Sequence, residues 1–139
     1  MLKNETGQVG IEYMAILVLF LIIIIPVMYI GMMDIQLQGQ TSQAKVAVDS
    51  IADTADRVYA QGPGTITTVE VYLPVGINYA GFTSHEVNIN MNLPTGGATD
   101  VYSLARGNLT GTMPTLPGRH VLVVSMNSTG IVAIQEATS

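Results

Sequence analysis

The chain has 139 residues, a formal net charge of −5 and a hydrophobic content of 48%. This length leaves room for one modest domain and one special segment. Only five Lys and Arg are present, which argues against a nucleic-acid-binding protein, because phosphate recognition needs a basic stripe. The absence of cysteine excludes disulfides, thiolate nucleophiles and cysteine-ligated zinc.

An uncharged run of 20 residues, 14–33, supplies most of the hydrophobicity. A helix needs about 20 apolar residues to cross the hydrocarbon layer of a membrane. A cleaved secretory signal fits poorly, because the leader MLKNETG holds one Lys and one Glu, the apolar run is too long and no A-x-A site follows. A plain transmembrane anchor explains the length and places Tyr13 and Tyr29 near the two membrane surfaces.

The anchor interpretation leaves Glu12 unexplained, because a carboxylate at the edge of hydrocarbon is costly. The junction TGQVGIEYMAI resembles the Q-x-S-x-E-x-x-x-L pattern of archaeal type IV pilins with class III signal peptides. Gln8 and Glu12 fall on the Gln and Glu of that pattern, and Ile16 stands at its Leu. Gly10 replaces the usual Ser, and Lys3 alone supplies the basic character of the leader.

The resemblance implies that a prepilin peptidase cuts between Gly7 and Gln8 and leaves the apolar helix on the mature protein. In the family, the Glu is thought to neutralise the new α-amino group of its own or a neighbouring subunit, and a buried carboxylate is tolerable only when it is paired. The alternative is that Glu12 lies in water at the level of the lipid headgroups. Lys3 before the run and Asp34 after it place the leader in the cytoplasm by the positive-inside rule.

The helical pattern continues beyond the apolar run. Pro26 predicts a kink, because proline removes one backbone hydrogen bond, and Gly39 is where we expect the helix to bend or melt. Residues 40–60 are amphipathic, with apolar side chains recurring every three or four residues. This apolar stripe consists of Ala44, Val48, Ile51, Ala55 and Val58 or Tyr59. The sequence Gly62-Pro63-Gly64 then predicts the end of the helix.

From residue 65 onward the hydrophobic period changes to two, which is typical of half-buried strands. TVEVYL and VNINMNL alternate strictly, and HVLVVSM and IVAIQEA flank a predicted hairpin turn at residues 127–130. Proline and glycine breaks divide the region into five to seven strands. At about 75 residues this region is marginal as an isolated core. We therefore expect its partner to be the apolar stripe of the helix.

These patterns predict an α+β protein, in which a long N-terminal hydrophobic helix forms the stem of a lollipop and a small antiparallel β-sandwich or barrel-like domain forms the head. The predicted segments are a cleaved leader (1–7), a long helix (8–61) and an extracellular β-rich head (62–139). Within the helix, residues 12–33 form the membrane or filament core.

Candidate reactive sites are few. His85 and His120 are the only histidines and have no motif around them, so we expect no catalytic residue, metal site or cofactor. Asn108 and Asn127 begin N-x-[ST] sequons in predicted loop or turn positions, and we expect them to be candidates for N-glycosylation. The row Asn88, Asn90 and Asn92 is open to three interpretations: a polar outer face, a sugar-binding row or a subunit contact.

The resemblance implies a structural subunit of an archaeal type IV adhesion pilus, not an enzyme. Its partners would be identical subunits, the prepilin peptidase, an assembly ATPase with its membrane platform, the membrane before assembly, and surface or cell-surface glycans. The finished filament would be extracellular on the archaeal cell surface. Alternatives are a minor pilin-like protein, a substrate-binding pseudopilin, an archaellin, or a single-pass membrane-anchored extracellular β-domain protein.

Overall fold

The computed structural model describes residues 5–94 and 96–137, with side chains from residue 9 onward. Most of the predicted leader and the last two residues of the predicted head therefore lie outside the described residues. The chain divides into two compact units, Met1–Gln36 and Leu37–Ser139, which we call the N-terminal unit and the β unit. The architecture is α+β, with one long N-terminal helix followed by two β-sheets.

Helix α1 runs without interruption from Glu5 to Gln61. It continues as an α-helix past Pro26, where a kink remains a prediction. It also continues through Gly39, so the melting expected there is wrong, although a bend remains a prediction. A glycine costs only about 1 kcal/mol in a helix interior. Helix propagation from long segments on both sides outweighs that cost.

The helix ends where the glycine and proline pattern predicts. Gly62 adopts a φ of 94°, and its N–H donates to the carbonyl of Val58 at 3.2 Å, which forms the left-handed cap that glycine favours. Pro63 cannot continue the helix. The next residues pair with the end of a strand, since Gly64 N–H donates to the Met126 carbonyl at 3.0 Å. The chain therefore passes from the capped end of the helix to a strand pairing within two residues.

Among the described residues seven strands follow, at the upper limit of the predicted number. They form a four-stranded sheet of order β1-β6-β7-β5 and a three-stranded antiparallel sheet of order β2-β3-β4. The strands are β1 Ile66–Leu73, β2 Ile77–Thr83, β3 Glu86–Asn92, β4 Ala98–Leu104, β5 Asn108–Gly111, β6 Gly118–Met126 and β7 Ile131–Glu136. The first sheet is mixed: β5 pairs with β7 in parallel, whereas β1 with β6 and β6 with β7 pair antiparallel.

One hydrophobic core lies between the second half of the helix and the inner faces of both sheets. The first four residues of the predicted apolar stripe are buried, and Val58 rather than Tyr59 completes it. Each of these strands supplies at least one buried side chain to the other side of the core. The strand residues buried there are Val71, Leu73, Ala80, Val87, Ile89, Met91, Val101, Leu109, Leu122, Val124, Met126, Val132 and Ile134. The expected partnership of stripe and strands is therefore confirmed.

Candidate functional site

The most unusual surface of the molecule is the apolar part of α1. Large hydrophobic side chains from Val9 to Ile35 are exposed on all sides of the helix, for example Phe20 at 63% and Ile25 at 62%. Within the described residues, one helix is long and apolar enough to cross a membrane, and its most apolar window contributes nothing to a buried core. A helix that is hydrophobic all round needs an apolar environment. This segment is therefore compatible with membrane anchoring.

The predicted cleavage junction lies at the start of this helix. Gly7 and Gln8 are helical in backbone, while the side chain of Gln8 lies outside the described part of the structure. Glu12 is exposed and follows Gln8 by four residues, which is about one helical turn. In the ranges that the structure describes, Glu12 takes part in no ion pair.

The two candidate glycosylation residues differ in their surroundings. Asn127 lies in the turn between β6 and β7, as predicted, and its Oδ1 accepts hydrogen bonds from Thr129 N at 3.0 Å, Thr129 Oγ1 at 2.7 Å and Ile131 N at 2.9 Å. Asn108 is exposed but begins strand β5, so its predicted loop position is wrong. The parallel pairing with β7 draws this short segment into the sheet.

The two histidines lie in separate places. His85 is exposed in the turn between β2 and β3. His120 on β6 is largely buried, with Nδ1 2.6 Å from Glu136 Oε1 and Nε2 2.8 Å from the Leu116 carbonyl. The imidazole of His120 therefore connects the loop before β6, through Nε2, to strand β7, through Nδ1. Among the described residues, no three His, Asp or Glu side chains are placed to hold a metal ion.

Two acidic residues connect α1 to the sheet edges. Asp56 Oδ1 accepts from the backbone N–H of Arg106 at 2.7 Å, in the loop that follows β4. Asp49 Oδ1 accepts from Lys45 Nζ at 2.8 Å, and the same ammonium donates to the Tyr102 carbonyl of β4 at 3.0 Å. The Lys45 hydrogen bond lowers the pKa of Asp49, aided by a hydrogen bond with Ser103 and opposed by burial. These contacts fix the helix on the sheets.

Sequence reasoning did not find the organisation of the outer face of the three-stranded sheet. The side chains of Asn78, Asn90, Asn92 and Asp100 are joined by hydrogen bonds across all three strands. The alternation in VNINMNL places Asn90 and Asn92 outward, but the participation of Asn78 depends on a β-bulge that no local pattern predicts.

Comparisons with protein-family models, with curated proteins and with solved structures gave no match.

Proposed function

We propose that this protein is the structural subunit of an archaeal type IV pilus, assembled through its N-terminal helix after residues 1–7 are removed. One observation supports the proposal above all: an exposed, all-round apolar helix segment directly follows the Gln8 and Glu12 junction. Such a segment needs lipid, or copies of itself, around it. A filament subunit needs both environments in turn.

The charge at the junction fits this sequence of events. Cleavage after Gly7 would give Gln8 a new α-amino group, one helical turn from the Glu12 carboxylate. Within packed helices an unpaired carboxylate would be costly, whereas a carboxylate paired with an ammonium is tolerated. Pairing with the amine of a neighbouring subunit would also fix the axial register of one helix against the next. The role of Glu12 in this proposal is therefore positioning and charge neutralisation.

The remaining parts of the chain have consistent roles in this proposal. The apolar helix holds the precursor in the membrane with its leader in the cytoplasm, where a prepilin peptidase acts. An assembly ATPase and its membrane platform move subunits into the filament. The β unit forms the outer, adhesive surface, where Asn108 and Asn127 are exposed for glycosylation.

Amino-terminal sequencing of the protein recovered from cells tests the cleavage directly. The proposal expects a mature chain that begins at Gln8, found in a sheared surface-filament fraction and visible as fibres by electron microscopy. Intact mass on the same fraction reports glycans on Asn108 and Asn127. A chain that keeps Met1 and stays dispersed in the membrane would overturn the proposal.

Substitution of Glu12 separates assembly from membrane insertion. Glu12→Ala and Glu12→Gln remove the carboxylate charge, so filament yield should fall by about tenfold or more, if the lost pairing is worth the ~1.4 kcal/mol that a factor of ten represents. Membrane insertion should be unchanged, because the apolar run is intact. Asp34→Asn is the matched control, since it removes an exposed carboxylate of the same helix outside the junction. Normal filament yield from both Glu12 variants would refute the assigned role.

A second candidate is a single-pass protein that displays the β unit outside the cell. The exposed apolar helix and the separately compact β unit favour it equally. This candidate predicts an uncut amino terminus and no effect of Glu12→Gln on the state of assembly. The two experiments above therefore distinguish the candidates.

A further inference from the structure

The outer face of the three-stranded sheet combines exposed aromatic rings with an ordered set of amides. Tyr79 on β2 and Tyr102 on β4 are 58% and 55% exposed. The phenol end of Tyr79 lies over Gly81, close enough that a Cβ at that position would overlap it. The ring of Tyr79 therefore runs along the sheet surface instead of standing away from it.

A β-bulge in β2 creates this arrangement. Ile77 pairs with Met91, yet Tyr79 pairs with Asn90, so Asn78 is an extra residue in the register. Ile77 packs against the core, while Asn78 and Tyr79 are both exposed. In a regular strand, two consecutive residues would point to opposite faces. Bulges commonly occur where a side chain has to be redirected next to a functional site.

The amides on this face are held in fixed orientations by one another. Asn78 Nδ2 donates to Asn92 Oδ1 at 2.7 Å and to Asn90 Oδ1 at 3.2 Å, and Asn92 Nδ2 donates back to Asn78 Oδ1 at 2.8 Å. Asn90 Nδ2 donates to Asp100 Oδ1 at 2.7 Å. By the donor and acceptor inventory of an amide, Asn90 and Asn92 each keep one N–H and one lone pair for a ligand. The face is thus preorganised, which lowers the entropic cost of binding.

The charge on the face restricts the ligand. Strands β2, β3 and β4 contain neither Lys nor Arg, and their only charged residues are Glu86 and Asp100. Both acids lie on the outer face, in register with Leu104 and Asn90. Lys45 of α1 reaches the backbone of β4 at the Tyr102 carbonyl, but its ammonium is paired with Asp49, so the two carboxylates still disfavour anionic ligands. The face therefore disfavours anions, and its amides offer both donors and acceptors, which suits a ligand rich in hydroxyl groups.

We propose that this face binds a neutral oligosaccharide. The C–H groups of a sugar ring pack on the exposed tyrosine rings. Its hydroxyls donate to and accept from the amides of Asn90 and Asn92, and donate to the carboxylate of Asp100. Tyr79 and Tyr102 lie two strands apart and are offset by two residues. With the usual spacing between strands and rise per residue, the distance between their Cα atoms is about 12 Å. This separation fits several linked sugar rings better than one. The proposal concerns the β unit alone and does not depend on filament formation.

Titration of the full chain with defined oligosaccharides tests the proposal. The protein is held in zwitterionic detergent micelles, because a maltoside detergent would itself compete for the site. Maltotriose, cellotriose, chitotriose and mannotriose are added separately, and amide chemical shifts of β2–β4 are followed by NMR. At least one should bind with a Kd of about 1 mM or tighter, as expected for a shallow open face. A trigalacturonate should bind more weakly than the neutral sugars.

Four substitutions make the test specific. Tyr79→Leu and Asn90→Leu should each weaken binding fivefold or more, while Tyr79→Phe, which keeps the ring, should retain it. Tyr72→Leu is the matched control, because Tyr72 is a 60% exposed tyrosine of β1 in the other sheet. Dispersed amide spectra of each variant confirm that the β unit remains folded.

Three outcomes would overturn the proposal. The first is that none of the neutral sugars shifts β2–β4 resonances at about 10 mM, tenfold above the expected Kd. The second is an equal loss of binding for Tyr72→Leu and Tyr79→Leu. The third is a chain that light scattering shows to be dimeric, with Tyr79→Leu making it monomeric, because a second copy would then be the occupant of this face.

Discussion

Lys45 and Asp49 show how single polar side chains hold helix α1 on the β4 edge. The Lys45 ammonium lies 2.8 Å from Asp49 Oδ1 and also donates to the Tyr102 carbonyl at 3.0 Å. The hydrogen bond from Lys45 is the main cause of the lowered pKa of Asp49, and Ser103 adds to it. Both charged side chains remain about half exposed, so solvent screens their attraction. Their contribution to stability should be small and dependent on pH.

Asp49→Asn tests this contribution. Because the folded pKa lies below the ordinary value of 3.8, Asp49 stabilises the fold at pH values above 3.8, and this stabilisation is lost as pH falls through the lower folded value. At pH 7 the variant should be less stable by about 0.5 kcal/mol or less, typical of an exposed pair. At a pH below the folded value the difference should vanish.

The measurement is urea unfolding of the full chain in micelles across this pH range, followed by tyrosine circular dichroism. Asp53→Asn is the control, since Asp53 is an exposed carboxylate one turn further along the same helix. A larger loss for Asp49→Asn at acid pH than at pH 7 would contradict the expected sign.

At the scale of elements, the second half of α1 is an amphipathic helix whose two faces should respond differently to mutation. Ile51 is fully buried in the hydrophobic core, whereas Val46 on the same helix is 66% exposed. Ile51→Ala should lower the free energy of unfolding by about 2–5 kcal/mol, because it removes buried methyl groups and leaves a cavity. Val46→Ala should change it by less than about 0.5 kcal/mol. Equal effects of the two substitutions in urea unfolding would contradict the assigned packing.

The elements differ in how far the sequence predicts them. The stripe from Ala44 to Val58 and the alternation in β1 and β3 are local signals, and the structure confirms them. The parallel pairing of β5 with β7 depends on contacts between distant segments, and a strand of four residues carries almost no periodic signal. The same reason explains why Asn108 was wrongly expected in a loop. For the candidate sites, the position of Asn127 in a turn was predictable, whereas the bulge that exposes both Asn78 and Tyr79 was not.

At the scale of the whole molecule, the hydrophobic residues serve two separate purposes. Within the part of the chain that the structure describes, the residues of the buried core lie between Ala44 and Ile134, inside the β unit. Among the described residues before Leu37, almost all of the large apolar side chains are exposed. The β unit also contains the helix turns that cover its sheets, so it does not rely on the apolar run for burial. A chain that loses the N-terminal unit should therefore keep its fold and lose its need for lipid.

Truncation to residues 37–139 tests this separation. The shortened chain should be monomeric in buffer without detergent, because it lacks the exposed apolar run that would otherwise drive association. Its amide spectrum should match that of the β unit in the full chain, and it should unfold in one cooperative transition. Combining the truncation with Ile51→Ala should reproduce the loss of stability measured in the full chain, because the same core surrounds Ile51 in both. An aggregated or unfolded product would show that the N-terminal unit contributes to the stability of the β unit, and would argue against a helix free to exchange lipid for neighbouring helices.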